Sequence, residues 1–180
     1  MKHEIIIAGF GGQGVMVAGE LLAYGGMLEG KKVSWLPSYG PEMRGGTANC
    51  SVVVSDTEIA SPLVTEPTAV VVMNRPSLDK FEDWLVLGGV LVVNTSLVNR
   101  DPVRPDLDIV KVPCNEIAYR LGLDKVANMV ALGALIARTG VVQLDSIEQA
   151  LRKLFPPNRQ NLIPLNLQAL RKGVELGKEG

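Results

Sequence analysis

A chain of 180 residues with 47% hydrophobic residues and a net charge of −1 can bury one sizeable core, and we expect a single domain over residues 1–180. The near-zero charge gives no electrostatic basis for nucleic-acid or anionic-membrane partners, and no signal peptide or membrane-spanning run is recognisable, so we expect a cytoplasmic protein. Two distant cysteines and one histidine are too few for an iron–sulfur cluster, a structural metal site or a histidine-based acid–base relay, so no catalytic or metal-binding residue is assigned.

The first predicted element is an apolar run at residues 5–8 that ends in a glycine-rich turn, Gly9-Phe10-Gly11-Gly12-Gln13-Gly14. The order predicts a buried strand, a tight turn and a helix over 12–28. Backbone amides at the start of a helix lack intrahelical partners and lie at the positive end of its dipole, so we expect the turn to bind an anion, usually a phosphate. Val15 stands where an ATP-binding loop has lysine, which argues against ATP chemistry. A packing turn without a ligand is the structural alternative.

The second predicted strand, 32–36, is followed by Pro37-Ser38-Tyr39 and has no acidic residue near its end. A dinucleotide site uses such an acid to bind the ribose hydroxyls, so the sequence argues against simple NAD binding. The connection runs on to residue 46 with prolines and glycines that fix the backbone, and it displays Tyr39, Glu42, Met43 and Arg44. Arg44 can reach a phosphate or a partner's carboxylate, and the alternative is a solvated Glu42–Arg44 pair.

The remaining elements alternate between strands and helices and then continue as helices alone. Further strands are predicted at 47–55, 69–73, 90–93 and 109–112. Further helices are predicted at 76–87, 114–121, 127–138, 145–154 and 165–176. This pattern predicts an α/β fold, a Rossmann-like open, mostly parallel twisted sheet flanked by helices, with a helical C-terminal extension. Ligands of such sheets bind beyond the carboxyl ends of the strands, where the glycine turn, Ser38, residues 74–75 and residues 94–96 are expected to meet.

Two details of the C-terminal helices follow from their sequence. Asp145 and Glu148 have the spacing of a capping box, which predicts a helix start at Asp145. Pro156-Pro157 is expected to break the chain before the last helix, whose apolar face can belong to the core or to a surface that pairs with a partner.

Three motifs resemble the γ subunit of 2-oxoacid:ferredoxin oxidoreductases: residues 9–14, Ser-Tyr-Gly-Pro-Glu-Met-Arg-Gly-Gly at 38–46 and Asn-Met-Val-Ala-Leu-Gly at 128–133. The second motif is closer to the 2-oxoglutarate or 2-oxoisovalerate type than to the pyruvate type. The resemblance implies a subunit of an enzyme that decarboxylates a 2-oxoacid oxidatively to an acyl-CoA and passes electrons to ferredoxin. Alpha and beta subunits and a ferredoxin-like delta subunit are the implied partners. Thiamine diphosphate, Mg and iron–sulfur clusters are expected on those partners, with ferredoxin contacted only indirectly.

The same resemblance implies that this chain helps to bind coenzyme A (CoA), which carries a pyrophosphate and a 3′-phosphate. The residues expected to bind it are Gly9, Gly11, Gly12, Gln13, Gly14, Ser38, Tyr39, Arg44 and Asn128. Asn128 can instead be the N-cap of its helix, which asparagine favours. Two other functions stay open: a stand-alone nucleotide-binding oxidoreductase of the Rossmann type, and a purely structural interface subunit whose glycine turn packs against a partner.

Overall fold

A single mixed sheet organises the computed structural model, which describes residues 1–38 and 47–179. Its six strands in those ranges are β1 (Lys2–Phe10), β2 (Lys32–Ser38), β3 (Thr47–Ser55), β4 (Ala69–Val72), β5 (Val90–Asn94) and β6 (Asp108–Val112). Their order across the sheet is β2-β3-β1-β4-β5-β6. β3 runs antiparallel to both of its neighbours, and the other pairings are parallel. The predicted open, mostly parallel sheet is confirmed.

Helices flank the sheet and alone follow its last strand, which confirms the predicted helical extension. The α-helices in the described ranges are α1 (Val15–Leu28), α2 (Arg75–Phe81), α3 (Cys114–Leu121), α4 (Ala127–Thr139), α5 (Leu144–Leu154) and α6 (Ile163–Gly177). Short 3₁₀ segments lie at Glu82–Trp84, Asp124–Val126 and Pro157–Leu162. None of the helices described has both the length and the low polarity that a membrane span requires.

Successive strands lie on opposite sides of β1 in the sheet, and this fixes the position of the glycine turn. The α1 crossover carries the chain to β2 at one edge, whereas β4, β5 and β6 lie on the other side of β1. The order therefore reverses between β1 and β4, and the glycine turn follows β1 at its carboxyl end. Open α/β sheets bind ligands at such a switch point.

Alternate residues of the central strands pack into two cores, one on each face of the sheet. Ile5 and Ile7 of β1 belong to the core that α1, α4, α5 and α6 cover, and Ile6 belongs to the core that α2 covers. All residues of β4 are buried, as expected for a parallel strand covered on both faces. The continuous apolar runs that marked these strands in the sequence reflect this double burial.

The helix predicted over 76–87 is shorter in the structure and ends as α2 at Phe81. Glu82, 3% exposed, follows it in a 3₁₀ turn and accepts hydrogen bonds from the N–H groups of Val103 and Arg104. It also pairs with the Arg100 guanidinium at 3.1 Å. The carboxylate thus anchors the long connection between β5 and β6, a contact across about 20 residues that the helical pattern did not indicate.

The predicted capping box of α5 is wrong. Its N-cap is Gln143, and the Asp145 carboxylate accepts a hydrogen bond from the Gln149 amide instead of capping the helix. The cap comes from Glu29, just after α1, which accepts hydrogen bonds from the Gln143 N–H at 2.7 Å and the Ser146 hydroxyl at 2.6 Å. A residue more than a hundred positions away in the sequence therefore begins this helix.

The apolar face of the last helix, α6, packs against α4 of the same chain, so the partner-pairing interpretation of that face is wrong. The helices meet through glycines: a Cβ on Gly133 would lie 2.1 Å from the Leu170 carbonyl oxygen, and one on Gly173 would lie 2.0 Å from that of Val130. Such distances are possible only without side chains. The contact holds α6 against α4, the helix that carries Asn128.

Candidate anion-binding site

The Gln13 side chain forms hydrogen bonds within the glycine turn and to the end of β4. Its Oε1 accepts a hydrogen bond from the Phe10 N–H at 2.5 Å, and its Nε2 lies 3.5 Å from the Met73 carbonyl oxygen. The Gln13 N–H donates in turn to the Phe10 carbonyl at 3.2 Å. The side chain therefore ties the end of β1 to the end of β4, and two of the amides expected to receive an anion are occupied.

The other amides of the turn remain available. Within residues 1–38 and 47–179, the N–H groups of Gly11, Gly12 and Gly14 donate to no acceptor. Gly12 has a φ of +90°, and a Cβ there would meet no atom of residues 1–38 and 47–179 within 4 Å, so among these residues nothing blocks an incoming group from its backbone. Together with the unpaired N–H groups that begin α1, this geometry can receive a negative charge.

Gly9 and Gly14 are needed for packing rather than for access. A Cβ on Gly9 would lie 2.5 Å from Gln13 Oε1, and one on Gly14 would lie 2.5 Å from Asn128 Nδ2. Gly14 also has a φ of +75°, a conformation that favours glycine where α1 begins. These two positions shape the turn, and Gly12 gives it an open face.

Asn128 contacts the glycine turn directly. It is the second residue of α4, whose N-cap is Val126, so the N-cap interpretation is wrong. Its Nδ2 donates to the Gly14 carbonyl oxygen at 3.0 Å. The side chain is 7% exposed, and its buried Oδ1 has no hydrogen-bond partner among the described residues. A buried acceptor of this kind is costly unless a donor reaches it.

Two small clefts flank the turn. The first cleft, about 210 Å³, is lined by Gly12, Gly14, Val17, Leu123, Lys125, Val126, Asn128, Phe155, Arg159, Leu162 and Asn166. The second cleft, about 200 Å³, is lined by Gly12, Gln13, Met73, Asn115, Asp124, Lys125 and Ala127. Gly12 and Lys125 line both clefts, so the two clefts share one residue of the turn and one exposed cation.

The sequence analysis missed the two cations of these clefts, Lys125 and Arg159. Neither pairs with a carboxylate in the part of the chain that the structure describes, although six arginines there do: Arg75, Arg100, Arg104, Arg120, Arg138 and Arg171. Arg159 Cζ instead lies 5.2 Å from the centre of the Phe155 ring. Lys125 stands three residues before the motif at 128–133, which was the available signal. The sequence around Arg159 gave no such signal, because the double proline before it indicated only a break between helices.

Ser38 lies away from this site, contrary to prediction. It ends β2 opposite Asn49 of β3, and Asn49 in turn pairs with Ala8 of β1. Neighbouring strands are about 4.8 Å apart, so the inserted β3 leaves Ser38 roughly 10 Å from β1. It lines neither of the two clefts among the described residues. Tyr39 and Arg44, the other two candidates from this motif, lie outside the described residues.

The polar residues after β4 and β5 make hydrogen bonds within the fold. Asn74 Oδ1 caps α2 by accepting from the Ser77 N–H at 2.9 Å. Asn94 Nδ2 donates to the Met73 carbonyl at 3.1 Å, and its Oδ1 accepts from the Cys114 N–H at 3.0 Å. These side chains join strand ends to the following helices, and Asn74 Nδ2 has no hydrogen-bond partner among the described residues.

A larger cavity, about 820 Å³, lies near the amino ends of the strands and is a weaker candidate for an anion site. Its lining includes Glu66, Asp83 and the apolar side chains of Trp84 and Leu87, all of which precede the amino ends of β4 or β5. Open sheets bind their ligands at the carboxyl ends of the strands, and this cavity lies at their amino ends. The glycine turn remains the better candidate.

The fold and the site define an open-sheet α/β protein with a glycine turn at the topological switch point. Residues 4–176 match the family model described as pyruvate ferredoxin/flavodoxin oxidoreductase. The chain belongs to this family, and the resemblance to γ subunits that its sequence motifs indicated is confirmed.

Curated relatives carry names from this enzyme group. The ketoisovalerate oxidoreductase subunit VorA of Methanothermobacter thermautotrophicus is 40% identical across 98% of this chain, but the chain spans only 36% of that relative's length. The 2-oxoglutarate synthase subunit KorC of Methanocaldococcus jannaschii is 38% identical across 99% of this chain and 96% of its own length.

Solved structures resemble this chain over nearly its whole length. The γ subunit of a keto/oxoacid ferredoxin oxidoreductase from Geobacter sulfurreducens has a TM-score of 0.85 and 33% identity, covering 97% of this chain and 98% of that one. A 2-oxoglutarate:ferredoxin oxidoreductase from Magnetococcus marinus, with 2-oxoglutarate, coenzyme A and succinyl-CoA bound, has a TM-score of 0.88 at 22% identity. The match covers 98% of this chain and 31% of that chain. Because the identity is only 22%, this second comparison supports the fold alone.

Proposed function

We propose that this chain is the γ-type component of a 2-oxoacid:ferredoxin oxidoreductase. Residues 1–180 would act as one domain that assembles with alpha, beta and ferredoxin-like delta subunits in an enzyme that oxidises a 2-oxoacid to an acyl-CoA. Family membership supports this role, as does a relative of nearly the same length that is named a 2-oxoglutarate synthase subunit. The names of the relatives favour 2-oxoglutarate or ketoisovalerate as the substrate class.

The contribution of this chain is binding rather than chemistry. Residues 1–38 and 47–179 contain no group of three or more His, Cys, Asp or Glu side chains able to hold a metal ion. Cys50 and Cys114 are both buried, and burial raises the pKa of each thiol to about 12, so neither is a ready thiolate ligand or nucleophile. We propose that thiamine diphosphate, Mg and iron–sulfur clusters are held by the partner subunits.

The ligand that suits the glycine turn best is CoA. The observation that carries this assignment is Gly12, whose N–H has no acceptor among the described residues and which, with Lys125, lines both clefts. CoA offers a pyrophosphate to such amides and cations, and its N–H groups can donate to an acceptor such as Asn128 Oδ1. When bound, CoA supplies the thiol that accepts the acyl group, and the residues of this chain would hold and orient it.

The test compares two glycines that differ only in their position relative to the site. Gly12 and Gly30 both have positive φ, +90° and +79°, and a Cβ on either meets no atom of the described part of the chain within 4 Å. Gly12→Ala and Gly30→Ala should therefore cost similar stability, but only Gly12→Ala should weaken CoA binding in isothermal titration of the full chain with its co-purified subunits. Equal CoA affinity of the two variants would count against CoA binding at the turn.

The purely structural alternative has one observation in its favour, since Gln13 and Asn128 already occupy part of the turn. It predicts that Gly12→Ala impairs co-purification of the larger subunits while CoA affinity of the assembled fraction stays normal. The stand-alone nicotinamide-dependent oxidoreductase is disfavoured by the topology. β3 separates β2 from β1, so the end of β2 does not border the glycine turn as it does in dinucleotide-binding sheets.

A further inference from the structure

Lys125 and Arg159 occupy different places along the two clefts. Lys125 lines both clefts beside Gly12, whereas Arg159 lines only the first cleft. The rest of the first cleft is largely apolar, with Val17, Leu123 and Leu162 among its lining residues. A ligand seated there would meet amides and an ammonium at the turn and a guanidinium elsewhere along the cleft. One anionic group would leave one of these cations without a partner.

The backbone of Arg159 is fixed by local hydrogen bonds, whereas its side chain is exposed. Its N–H donates to the Pro156 carbonyl at 2.8 Å, and the adjacent Gln160 amide donates to the Phe155 carbonyl at 2.6 Å. The guanidinium also lies against the Phe155 ring at 5.2 Å. An arginine guanidinium next to an aromatic ring keeps its N–H groups available to bind a phosphate with two parallel hydrogen bonds.

We propose that the two cations bind two separate phosphate groups of one ligand, with Lys125 and the glycine turn binding the diphosphate and Arg159 binding a distinct terminal phosphomonoester. Arg159 is then the residue that selects a nucleotide coenzyme bearing this extra phosphate over one lacking it. The inference rests on the proposed function, since CoA has this phosphate on its ribose and dephospho-CoA lacks it. It adds a specificity determinant located in the C-terminal extension.

Asn128 supplies an independent indication that a ligand completes the first cleft. Its side chain lines this cleft, is 7% exposed, and has an Oδ1 without a partner among the described residues. An inorganic phosphate would not satisfy this acceptor, because at neutral pH it offers mainly acceptor oxygens of its own. A ligand that carries N–H groups together with phosphates would.

The experiment measures the affinities of CoA and dephospho-CoA by isothermal titration for the full chain with any subunits that accompany it. The variants are Arg159→Gln and Lys125→Gln. Matched controls are Arg152→Gln and Lys153→Gln, exposed cations of α5 that line neither cleft. For the unmodified chain we expect CoA to bind at least about tenfold more tightly than dephospho-CoA, as loss of a charge-assisted contact implies.

Arg159→Gln should weaken CoA about tenfold and leave dephospho-CoA within about twofold, so that the preference disappears. Lys125→Gln should weaken both ligands by a similar factor and preserve the preference. The controls should change neither affinity. An Arg159→Gln chain that keeps the preference while CoA still binds would overturn the assignment of Arg159 and leave the proposed function intact. If the unmodified chain and its complex bind neither ligand, the CoA-binding function itself fails.

Discussion

Gly173→Ala is the substitution for which the structure gives the clearest magnitude. The new Cβ would lie 2.0 Å from the Val130 carbonyl oxygen, 2.8 Å from its carbon and 3.0 Å from the Ala134 nitrogen. A carbon–oxygen contact normally spans about 3.3 Å or more, so α6 would have to move away from α4 by over about 1 Å. The obstructing atoms are backbone of a buried helix, which cannot rotate aside as a side chain can.

The expected loss of stability combines two opposing effects. Overpacking a core costs about 1–3 kcal/mol and occasionally more, and the backbone clash places this case at the upper end or beyond. Replacing glycine by alanine inside a helix returns about 1 kcal/mol. We therefore expect a net destabilisation of about 3 kcal/mol, which for a chain of this size lowers Tm by roughly 6–12 °C.

Urea unfolding followed by circular dichroism measures this effect, and Gly25→Ala in α1 is the matched control. Its Cβ would lie 3.0 Å from Ile147 Cδ1, the end of a side chain that can shift, so we expect a change within about 1 kcal/mol. Because Leu162 and Asn166 place the start of α6 in the first cleft, CoA affinity should fall in Gly173→Ala as well. Equal stability of the two variants would refute the tight contact between α4 and α6.

Three further predictions concern titrating groups. Burial alone would raise the pKa of Glu29, but the hydrogen bonds that cap α5 and the neighbouring ammonium outweigh it and lower the pKa. The stabilisation from these hydrogen bonds is thus present above the ordinary carboxyl pKa and lost as pH falls through the lowered pKa. In urea unfolding, Glu29→Gln should be less stable by about 1–2 kcal/mol at pH 7. The stabilities of the variant and the unmodified chain should become equal below about pH 4. Burial, Lys31 and the N-terminal amine lower the pKa of His3, so stability should fall as pH drops below about 6.5, and His3→Gln should lose that slope in thermal melts at pH 5–7. Cys50 and Cys114 should resist iodoacetamide at pH 8 until the chain is unfolded; mass-spectrometric labelling of the native chain would contradict their burial.

The sequence predicts the parts of this fold that depend on neighbouring residues. The glycine turn, the strands at 47–55 and 69–73 and the helix at 114–121 follow from periodicity and turn residues, and they appear within one or two residues of prediction. The antiparallel insertion of β3 does not follow, because the alternation of side chains is the same in either strand direction. That single unforeseen feature is why Ser38, predicted beside the glycine turn, lies two strands away.

The candidate site was predicted in part for a similar reason. Asn128 was found because it belongs to a recognisable motif, although its contact with the Gly14 carbonyl joins residues 114 positions apart. Lys125 and Arg159 come from separate 3₁₀ segments that meet the turn only after α4, α5 and α6 have packed. A lone cation in such a segment looks like any solvated surface residue in the sequence.

Gln13 explains why the glycine turn depends on distant residues for its positive charge. In loops that bind ATP, a lysine just after the last glycine brings charge to the phosphates from the turn itself. Here the turn has Val15 in that place, and the neutral Gln13 amide bridges β1 and β4. The turn thus offers oriented amides but no cation, and the cations of the adjoining clefts belong to the C-terminal extension. Any change that shifts this extension relative to α1 should therefore weaken anion binding without altering a residue of the turn.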